Sequence, residues 1–367
     1  MHSFNPWDNR GRLNRLFFSL PLFLLLLACG GTAVTSPAPA PTGQTESPEP
    51  GGGTVFTQPA PAATGQAESP EPDGGATLTQ SAPAATLPTE QLEPGDSRRS
   101  LVYAGIERTY ILHIPTGYDG THATPLVLAF HGIGLNAEEM IRISDLSEQA
   151  NTSGFIVAYP NGTGESKSWN GGHCCGEAAK NRVDDVGFVG ALIDELAALA
   201  NIDPGRVYAT GFSNGAIMVY RLACELSDRI AAVGPVSATQ ILDDQQTCHP
   251  ARSVPVIHFH GTADRLNPYD GATTSAGFAF VSVEDAIGFW AEKDACLSPV
   301  QRTESGNIQH DLYAACAQDS AVELYTIKAG EHAWPGGQAV SAQLGEPTME
   351  ISASPLIWAF FAAHPMP

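Results

Sequence analysis

The chain is 367 residues long, 43% hydrophobic and 16% charged, which is the composition of a globular protein and excludes a protein with several membrane spans. Its formal net charge of −21 would repel the phosphates of nucleic acids and the head groups of anionic membranes, so nucleic acid is not an expected partner. Composition is uneven along the chain, which indicates separate regions.

The N-terminus has the features of an export signal, predicted over residues 1–28. Three arginines within the first fifteen residues precede an apolar run at 16–28 that is too short to span a bilayer comfortably. The run is followed by Cys29, in a pattern that resembles the bacterial lipobox, where the cysteine receives the lipid. We expect a lipid on Cys29 as the only attachment to the membrane. The alternative is an ordinary signal peptide in which this cysteine occurs by chance.

Residues 29–98 are rich in proline, alanine and threonine and nearly lack large apolar side chains. Residues 42–50 (TGQTESPEP) recur almost unchanged at 64–72 (TGQAESPEP), with a period of 22 residues. Neither copy has an apolar face that could stack on a neighbour, so the repeat does not predict a solenoid. We expect a disordered stalk that holds the following domain away from the membrane, outside the cell.

Residues 99–367 are one domain's worth of sequence and contain six cysteines. An even number of cysteines in an exported chain suggests disulfides, although six cysteines allow 15 pairings between which the sequence cannot choose. We expect two local bridges, Cys224–Cys248 and Cys296–Cys316. Cys174 and Cys175 are adjacent, so they form either a vicinal bridge or two thiols. A zinc site is a weaker alternative because no Cys-x-x-Cys spacing occurs.

Short β-branched runs alternate with amphipathic stretches along this domain. Helices are predicted after Asn136, from Asp184 or Asp185, and over residues 214–226, 284–293 and 355–363. Strands are predicted at residues 109–114, 125–130, 155–159, 207–210, 254–259 and 322–327. This alternation predicts a mainly parallel sheet with helices on both faces, in which reactive side chains gather beyond the carboxyl ends of the strands.

The sequence Gly211-Phe212-Ser213-Asn214-Gly215 is the only Gly-x-Ser-x-Gly pattern in the chain. It lies between a predicted strand and a predicted helix, which is the setting of the nucleophile elbow in the α/β-hydrolase fold. The two glycines lack the Cβ atoms that would collide across the sharp turn, and the helix N-terminus favours negative charge beside the serine. We therefore predict an α/β-hydrolase with Ser213 as nucleophile.

The acid and the base of this fold follow the nucleophile in the order Ser, Asp or Glu, His. Asp264 and His332 each follow a predicted strand, so both can lie at the same sheet edge as Ser213. We expect His332 to act as general base and then general acid, Asp264 to orient the imidazole, and Ser213 to form the acyl-enzyme. Asp270 is a rival for the acid, but it lies further into the loop.

The oxyanion hole should use two backbone amides. One belongs to Asn214, directly after the nucleophile. The other belongs to Gly132 or Ile133, in a loop that follows a predicted strand and resembles the His-Gly-Gly-Gly loops of esterases. The side chain of His131 is expected to brace this loop rather than to react.

Other polar residues near these motifs are expected to be structural. His258 and His260 lie on or beside a strand and should be packed and hydrogen-bonded. The pair Asp184-Asp185 should cap a helix. Residues 265–280 are a candidate lid over the cleft.

Seven motifs, in this order, resemble those of the polyhydroxybutyrate depolymerase/feruloyl esterase family: FHGIG (130–134), YPNG (159–162), WNGGHCCG (169–176), DDVGF (184–188), GFSNG (211–215), HGTAD (260–264) and HAWPG (332–336). The resemblance covers essentially the whole catalytic domain and excludes the stalk. It implies a secreted carboxylic-ester hydrolase that needs no cofactor, with Ser213, Asp264 and His332 at the triad positions. No metal site is expected.

The substrate is open at this point. Trp169 and Trp334 are candidate substrate-binding residues, because an exposed indole can stack on a sugar face or a phenolic ring. A feruloyl or acetyl-xylan esterase acting on plant polysaccharide is favoured, since the chain ends at Pro367 without a module that would adsorb to a solid polymer. A polyhydroxyalkanoate depolymerase is the second hypothesis. A surface-tethered binding protein without activity is the third, and the complete triad argues against it.

Overall fold

A computed structural model of the protein describes residues 92–273 and 277–367. The predicted signal peptide, Cys29 and residues 29–91 of the predicted stalk lie outside these ranges. Among the described residues, no helix has both the length and the apolar character needed to cross a bilayer.

A ten-stranded sheet in the order β1-β2-β4-β3-β5-β6-β7-β12-β11-β10 forms the centre of this domain. Strands β4, β3, β5, β6, β7 and β12 pair in parallel, while β1 and β2 at one side and β11 and β10 at the other are antiparallel. Strands β8 and β9 form a separate antiparallel pair. The strands are β1 (Gly95–Tyr103), β2 (Ile106–Ile114), β3 (Thr124–Phe130), β4 (Ile156–Pro160), β5 (Ile202–Phe212), β6 (Val233–Val236), β7 (Val256–Gly261), β8 (Ala272–Thr273), β9 (Ala279–Phe280), β10 (Gln301–Ser305), β11 (Ile308–Tyr313) and β12 (Val322–Ile327).

Helices cover both faces of the sheet. They are α1 (Ala137–Ser144), α2 (Leu146–Ser153), α3 (Gly176–Lys180), α4 (Asp185–Leu199), α5 (Asn214–Glu225), α6 (Leu242–Gln246), α7 (Val283–Lys293) and α8 (Ala353–Ala363). Every residue of β3 is buried, and its side chains alternate between two cores. Leu128 and Phe130 pack with α4, α5 and α7, whereas Val127 and Ala129 pack with α1, α2 and α8. This arrangement confirms the α/β-hydrolase fold.

The long predicted elements are present, with ends shifted by a few residues. Asn136 caps α1 as predicted, because its side-chain oxygen accepts from the backbone N–H of Glu139. Strand β6 was not predicted, since it is short and contains Gly-Pro. Strands β10 and β11 were also missed, because β10 is exposed along its whole length and has no apolar pattern.

The folded domain begins earlier than the predicted boundary at residue 99. Strand β1 starts at Gly95, inside the segment expected to be stalk, and pairs with β2 over its whole length. Its exposed and half-buried residues alternate, as in an edge strand with one face towards the protein. The first residues of this strand are polar, so their composition resembles that of the preceding stalk and the boundary was predicted too late.

The disulfides agree with the expected pairs. Cys224 bonds to Cys248 and Cys296 bonds to Cys316, each closing a local loop. Cys174 and Cys175 form the vicinal bridge, one of the two alternatives.

Candidate active site

The three proposed catalytic residues follow three strands that run in the same direction. Strands β5, β6, β7 and β12 are parallel neighbours, so their carboxyl ends lie at one edge of the sheet. Ser213 follows β5 directly, Asp264 follows β7, and His332 follows β12. The fold therefore brings together positions that are more than fifty residues apart in sequence.

Ser213 lies in a sharp turn between β5 and α5. Its backbone has φ +56° and ψ −121°, which is the strained conformation expected of a nucleophile elbow. A Cβ atom on Gly211 would lie 2.5 Å from the carbonyl oxygen of Gly215, and one on Gly215 would collide with the carbonyl oxygen of Phe130. Both flanking glycines are thus required by close backbone contact, as the sequence predicted.

Asp264 and His332 form a buried hydrogen-bonded pair. His332 Nδ1 lies 2.7 Å from Asp264 Oδ2, and the other carboxylate oxygen accepts from the backbone N–H groups of Leu266 and Asn267 at 2.9 and 2.8 Å. These contacts fix both the carboxylate and the imidazole. The rival acid, Asp270, is exposed on the same loop.

The second nitrogen of this imidazole, His332 Nε2, is buried and has no hydrogen-bond partner among the described residues. The ring of His332 packs against that of Phe212, which precedes the nucleophile, with 4.9 Å between the ring centroids. Ser213 Oγ is not hydrogen-bonded to Nε2 in this structure. Such bonds are often long before substrate binds and tighten in the substrate complex. The imidazole of His332 therefore lies beside the residue that precedes Ser213.

A line of buried hydrogen bonds lies behind the acid. Tyr220 OH is 2.9 Å from His258 Nδ1, His258 Nε2 is 3.0 Å from His260 Nδ1, and His260 Nε2 is 2.7 Å from the carbonyl oxygen of Asn267. The carbonyl can only accept, so each group in the line donates to the next, from Tyr220 to Asn267. Burial lowers the pKa of His260 to about 4 and that of His258 well below its ordinary value, so both rings are neutral. Both histidines are structural, as predicted, and the line holds the loop that carries Asp264.

The candidate oxyanion loop is held by His131, as predicted. His131 Nε2 accepts from the N–H of Gly162 at 2.9 Å, and Nδ1 donates to the carbonyl oxygen of Gly132 at 2.7 Å. Burial lowers the pKa of His131 to about 4, which keeps the ring in this neutral state. The Gly132 carbonyl also accepts from Leu135 N, so the N–H of the same trans peptide, that of Ile133, points the opposite way.

The amides predicted for the oxyanion hole are available. Among the hydrogen bonds of residues 92–273 and 277–367, none uses the backbone N–H of Gly132, Ile133 or Asn214. A Cβ on Gly132 would lie 3.2 Å from Ser213 Cβ, so this loop directly adjoins the nucleophile. The orientation of the peptide favours Ile133 over Gly132 as the donor from this loop, together with Asn214.

Trp169 is not a substrate-stacking residue, which corrects the sequence-based prediction. Its side chain is fully buried, and Nε1 donates to the carbonyl oxygen of His131 at 2.9 Å. The backbone of Trp169 also exchanges two hydrogen bonds, at 2.8 and 3.1 Å, with the side-chain amide of Asn214. Trp169 therefore ties the elbow to the oxyanion loop instead of offering a ring face to a ligand.

Trp334 is likewise buried, with 2% of its surface exposed, so the prediction of substrate contact is wrong for this residue too. Its Nε1 donates to Ser354 Oγ at 3.1 Å, and its ring packs in the core on the α8 side of the sheet. A tryptophan two residues from His332 helps to anchor the loop of the base. Proximity in sequence did not reveal on which side of the backbone the ring lies.

A buried ion pair supports the Trp169 loop and was not predicted. Arg108 Nη2 lies 2.7 Å from Asp185 Oδ1, and Asp185 Oδ2 accepts from the N–H of Asn170 at 2.8 Å. The Arg108 guanidinium also lies over the ring of Phe188, 3.8 Å from its centroid. Asp184 caps α4 through Gly187 N, so the predicted capping role holds for Asp184, whereas Asp185 holds a loop.

Within the described residues, no cluster of His, Cys, Asp or Glu has the arrangement to hold a metal ion. The predicted lid, residues 265–280, contains the β8–β9 pair, and its role as a lid stays a prediction.

Comparisons with known proteins agree with this architecture. Residues 108–265 match the family described as Esterase PHB depolymerase. Feruloyl esterase B of Piromyces equi is 33% identical over 241 residues, which cover 63% of this chain and 44% of that protein. "Putative esterase NocK" of Nocardia uniformis subsp. tsuyamanensis is 34% identical over 258 residues, covering 65% and 74%. The chain thus spans under half the length of the Piromyces protein.

Among solved structures, the acetyl xylan esterase from Aspergillus awamori superposes with a TM-score of 0.52 at 12% identity, covering 73% of this chain and 99% of that one. At this identity the likeness concerns the fold alone. The fold is that of the α/β-hydrolase class, and these relatives in sequence are named as esterases. The chain belongs to the polyhydroxybutyrate depolymerase/feruloyl esterase family.

Proposed function

We propose that the protein is a secreted, membrane-tethered serine esterase that removes hydroxycinnamoyl or acetyl groups from plant polysaccharide. The observation that carries this proposal is the 2.7 Å hydrogen bond between Asp264 and His332. It leaves Nε2 of His332 without a partner among the described residues, on a ring that lies beside the elbow of Ser213. A base with a fixed tautomer next to a strained serine is the arrangement that ester hydrolysis through an acyl-enzyme requires.

The reaction follows from these groups. Ser213 Oγ attacks the ester carbonyl carbon as its proton passes to His332 Nε2. The carbonyl oxygen becomes an oxyanion, which accepts hydrogen bonds from the amides of Ile133 and Asn214. The tetrahedral species collapses, the C–O bond to the alcohol breaks, and His332 returns the proton to the departing oxygen. Water then repeats the sequence on the acyl-enzyme and releases the carboxylic acid.

The first test is the hydrolysis of 4-nitrophenyl acetate by the full chain and by Ser213→Ala. The variant should lose nearly all activity and keep its unfolding midpoint. Ser305→Ala, an exposed serine on β10, is the matched control and should keep full activity. Activity in Ser213→Ala close to wild type would contradict the proposed nucleophile.

The substrate class rests on the relatives named as feruloyl and acetylxylan esterases. A hydroxyalkanoate polyester is the second candidate, because the matching family is described by that activity. The decisive comparison measures ferulate released from feruloylated arabinoxylan, acetate released from acetylated xylan, and 3-hydroxybutyrate released from amorphous polyester. Release of 3-hydroxybutyrate alone would replace the first candidate by the second.

The location at the cell surface is also a proposal, supported by the N-terminal sequence and by disulfides, which form in oxidising compartments. In this proposal, residues 1–28 are removed and Cys29 carries the lipid. A proline-rich stalk then joins Cys29 to the catalytic domain. Labelling with radioactive palmitate should mark the wild-type protein and not Cys29→Ala. An unlabelled wild-type protein in a bacterial host that lipidates other lipoproteins would contradict the anchor.

A further inference from the structure

Trp169 contacts both sides of the proposed oxyanion hole. Its backbone N–H donates to Asn214 Oδ1 at 2.8 Å, and its carbonyl oxygen accepts from Asn214 Nδ2 at 3.1 Å. Asn214 follows Ser213 directly, so these two bonds hold the first residue of α5 through its side chain. The indole donates to the carbonyl oxygen of His131, at the start of the loop that contains Ile133. A shift of this one tryptophan would therefore disturb both proposed amide donors.

Asn170, the next residue, fixes the place of this tryptophan. Three of its polar groups bond to distant parts of the chain. Its backbone N–H donates to Asp185 Oδ2 at 2.8 Å, and its carbonyl oxygen accepts from Arg221 Nη1 at 2.8 Å. Its side-chain amide donates to the carbonyl oxygen of Val183 at 2.8 Å. Among these partners, Asp185 combines full charge with full burial, which makes its hydrogen bond to the backbone a strong one.

Asp185 is itself anchored to the central sheet. It begins α4, and its Oδ1 accepts at 2.7 Å from Nη2 of Arg108, which lies on β2. The side chains of this ion pair are 0% and 2% exposed. A buried ion pair usually stabilises a fold no better than apolar side chains of the same volume. Stability alone therefore does not account for the pair, whereas a fixed acceptor for the N–H of Asn170 does.

We propose that Asp185 is a positioning residue of ester hydrolysis, which raises kcat by holding Trp169 where it fixes both sides of the oxyanion hole. The connection runs from the carboxylate to the N–H of Asn170, across one peptide bond to Trp169, and through two hydrogen bonds to Asn214. Donors of an oxyanion hole act only when they are in place before the charge develops. A misplacement of about 1 Å can lower a rate by about 100-fold. This inference rests on the proposed esterase function and names a residue on which its rate depends.

The test uses two double variants that both remove the ion pair and differ only in the acceptor for Asn170. Arg108→Met with Asp185→Asn keeps a side-chain oxygen for this N–H and leaves no guanidinium facing the new amide. Arg108→Met with Asp185→Leu has a side chain of similar size at position 185 and no acceptor. For 4-nitrophenyl acetate, the second variant should have a kcat about tenfold below that of the first, with KM changed by less than about twofold.

Inhibition by trifluoroacetone gives a readout that partial unfolding would not change. Ser213 Oγ adds reversibly to the ketone carbon, the serine proton passes to His332, and the ketone oxygen becomes an oxyanion that accepts from the hole. The Ki of the second double variant should therefore exceed that of the first by about tenfold, in parallel with the fall in kcat. A smaller folded fraction would lower the apparent kcat and leave Ki unchanged.

Asn214→Ala tests the path itself. It removes the side chain that bonds to Trp169 and keeps the backbone N–H that serves the oxyanion hole. On its own it should lower kcat and raise Ki by about tenfold each. Added to both double variants, it should reduce the difference between their kcat values to about threefold or less, because only the indole contact with His131 then links Asp185 to the hole.

Tyr103→Phe is the matched control, because it removes a 2.6 Å hydrogen bond to Asp184, the neighbour of Asp185, outside this path. It should keep the wild-type kcat, KM and Ki. Equal kcat and Ki values in the two double variants would overturn the inference, as would a wild-type kcat in Asn214→Ala. The latter variant decides the matter if the second double variant does not fold. Neither result touches the esterase proposal, which fails only if Ser213→Ala retains activity.

Discussion

Acidification from pH 8 to pH 5 should weaken the folded domain, because three buried histidines are neutral in it. Burial lowers the pKa of His131 and of His260 to about 4, against an ordinary value of 6.5, and lowers that of His258 as well. The unfolded chain therefore takes up protons at a higher pH than the folded chain does. Above about pH 6.5 these rings are neutral in both states and do not affect the free energy of unfolding. Below that pH the free energy of unfolding falls, and it continues to fall until pH reaches about 4.

The size of the effect follows from the two pKa values. A histidine whose pKa falls from 6.5 to about 4 destabilises the folded state by about 3.4 kcal/mol once pH is below both values. At pH 5 the unfolded imidazole is mostly protonated and the folded one is not, so each histidine destabilises by about 2 kcal/mol relative to pH 8. His131 and His260 together account for about 4 kcal/mol, a large part of the roughly 5–15 kcal/mol that holds a typical domain folded.

Urea unfolding at pH 8, 7, 6 and 5, followed by tryptophan fluorescence, measures this loss. His260→Gln removes one titrating ring and keeps a donor towards the carbonyl oxygen of Asn267. Its free energy of unfolding should therefore fall by about 2 kcal/mol less than that of wild type between pH 8 and pH 5. His122→Gln, at a side chain that is 90% exposed, is the matched control and should keep the wild-type slope.

Two results would refute this reasoning. One is a wild-type protein whose free energy of unfolding changes by less than about 1 kcal/mol between pH 8 and pH 5. The other is a His260→Gln variant with the same slope as wild type, which would mean that this ring is protonated in the folded protein.

Three further predictions test separate parts of the structure. Gly132→Ala places a Cβ 3.2 Å from that of Ser213, so kcat for 4-nitrophenyl acetate should fall by roughly tenfold or more with little change in KM; an unchanged kcat would contradict the loop assignment. Burial raises the pKa of Asp294 to about 6 from 3.8, so the carboxylate is charged at pH 8 at a cost to the folded state. Asp294→Asn should therefore raise the free energy of unfolding in urea by up to about 3 kcal/mol at pH 8 and by about half of that at pH 5. An increase of the same size at both pH values would exclude the buried charge as its cause. Arg108→Met leaves Asp185 buried without its partner and should lower the free energy of unfolding by about 3–5 kcal/mol. Adding Asp185→Asn should restore most of this loss. A loss that the second substitution does not reduce would mean that Arg108 stabilises the domain by packing and not by its charge.

Much of the fold and the order of the catalytic positions could be predicted, because they depend on local backbone chemistry. The elbow at Ser213 requires glycines at fixed positions, and the strand that precedes each of Asp264 and His332 has an apolar pattern. Hydrogen bonds across long sequence distances leave no such pattern. Arg108 reads as an ordinary charged residue in a strand, and only the fold brings it to Asp185.

The two tryptophan predictions failed for a related reason. A motif that contains Trp169 indicates that an indole is needed near the site, but not whether it contacts a ligand or the protein. In the structure its N–H and its backbone are all used by His131 and Asn214. Phe278 and Phe280, by contrast, are partly exposed rings that pack against the cluster containing Ile217 of α5, and they lie in a segment without a recognisable motif.

Trp169 and Gly176 belong to one loop, and both contact elements beside Ser213. Trp169 holds the Asn214 side chain, and Gly176, seven residues later, lies against Ile133. An insertion between these two residues would therefore disturb the contact to Asn214 and the contact to Ile133 together, on both sides of Ser213.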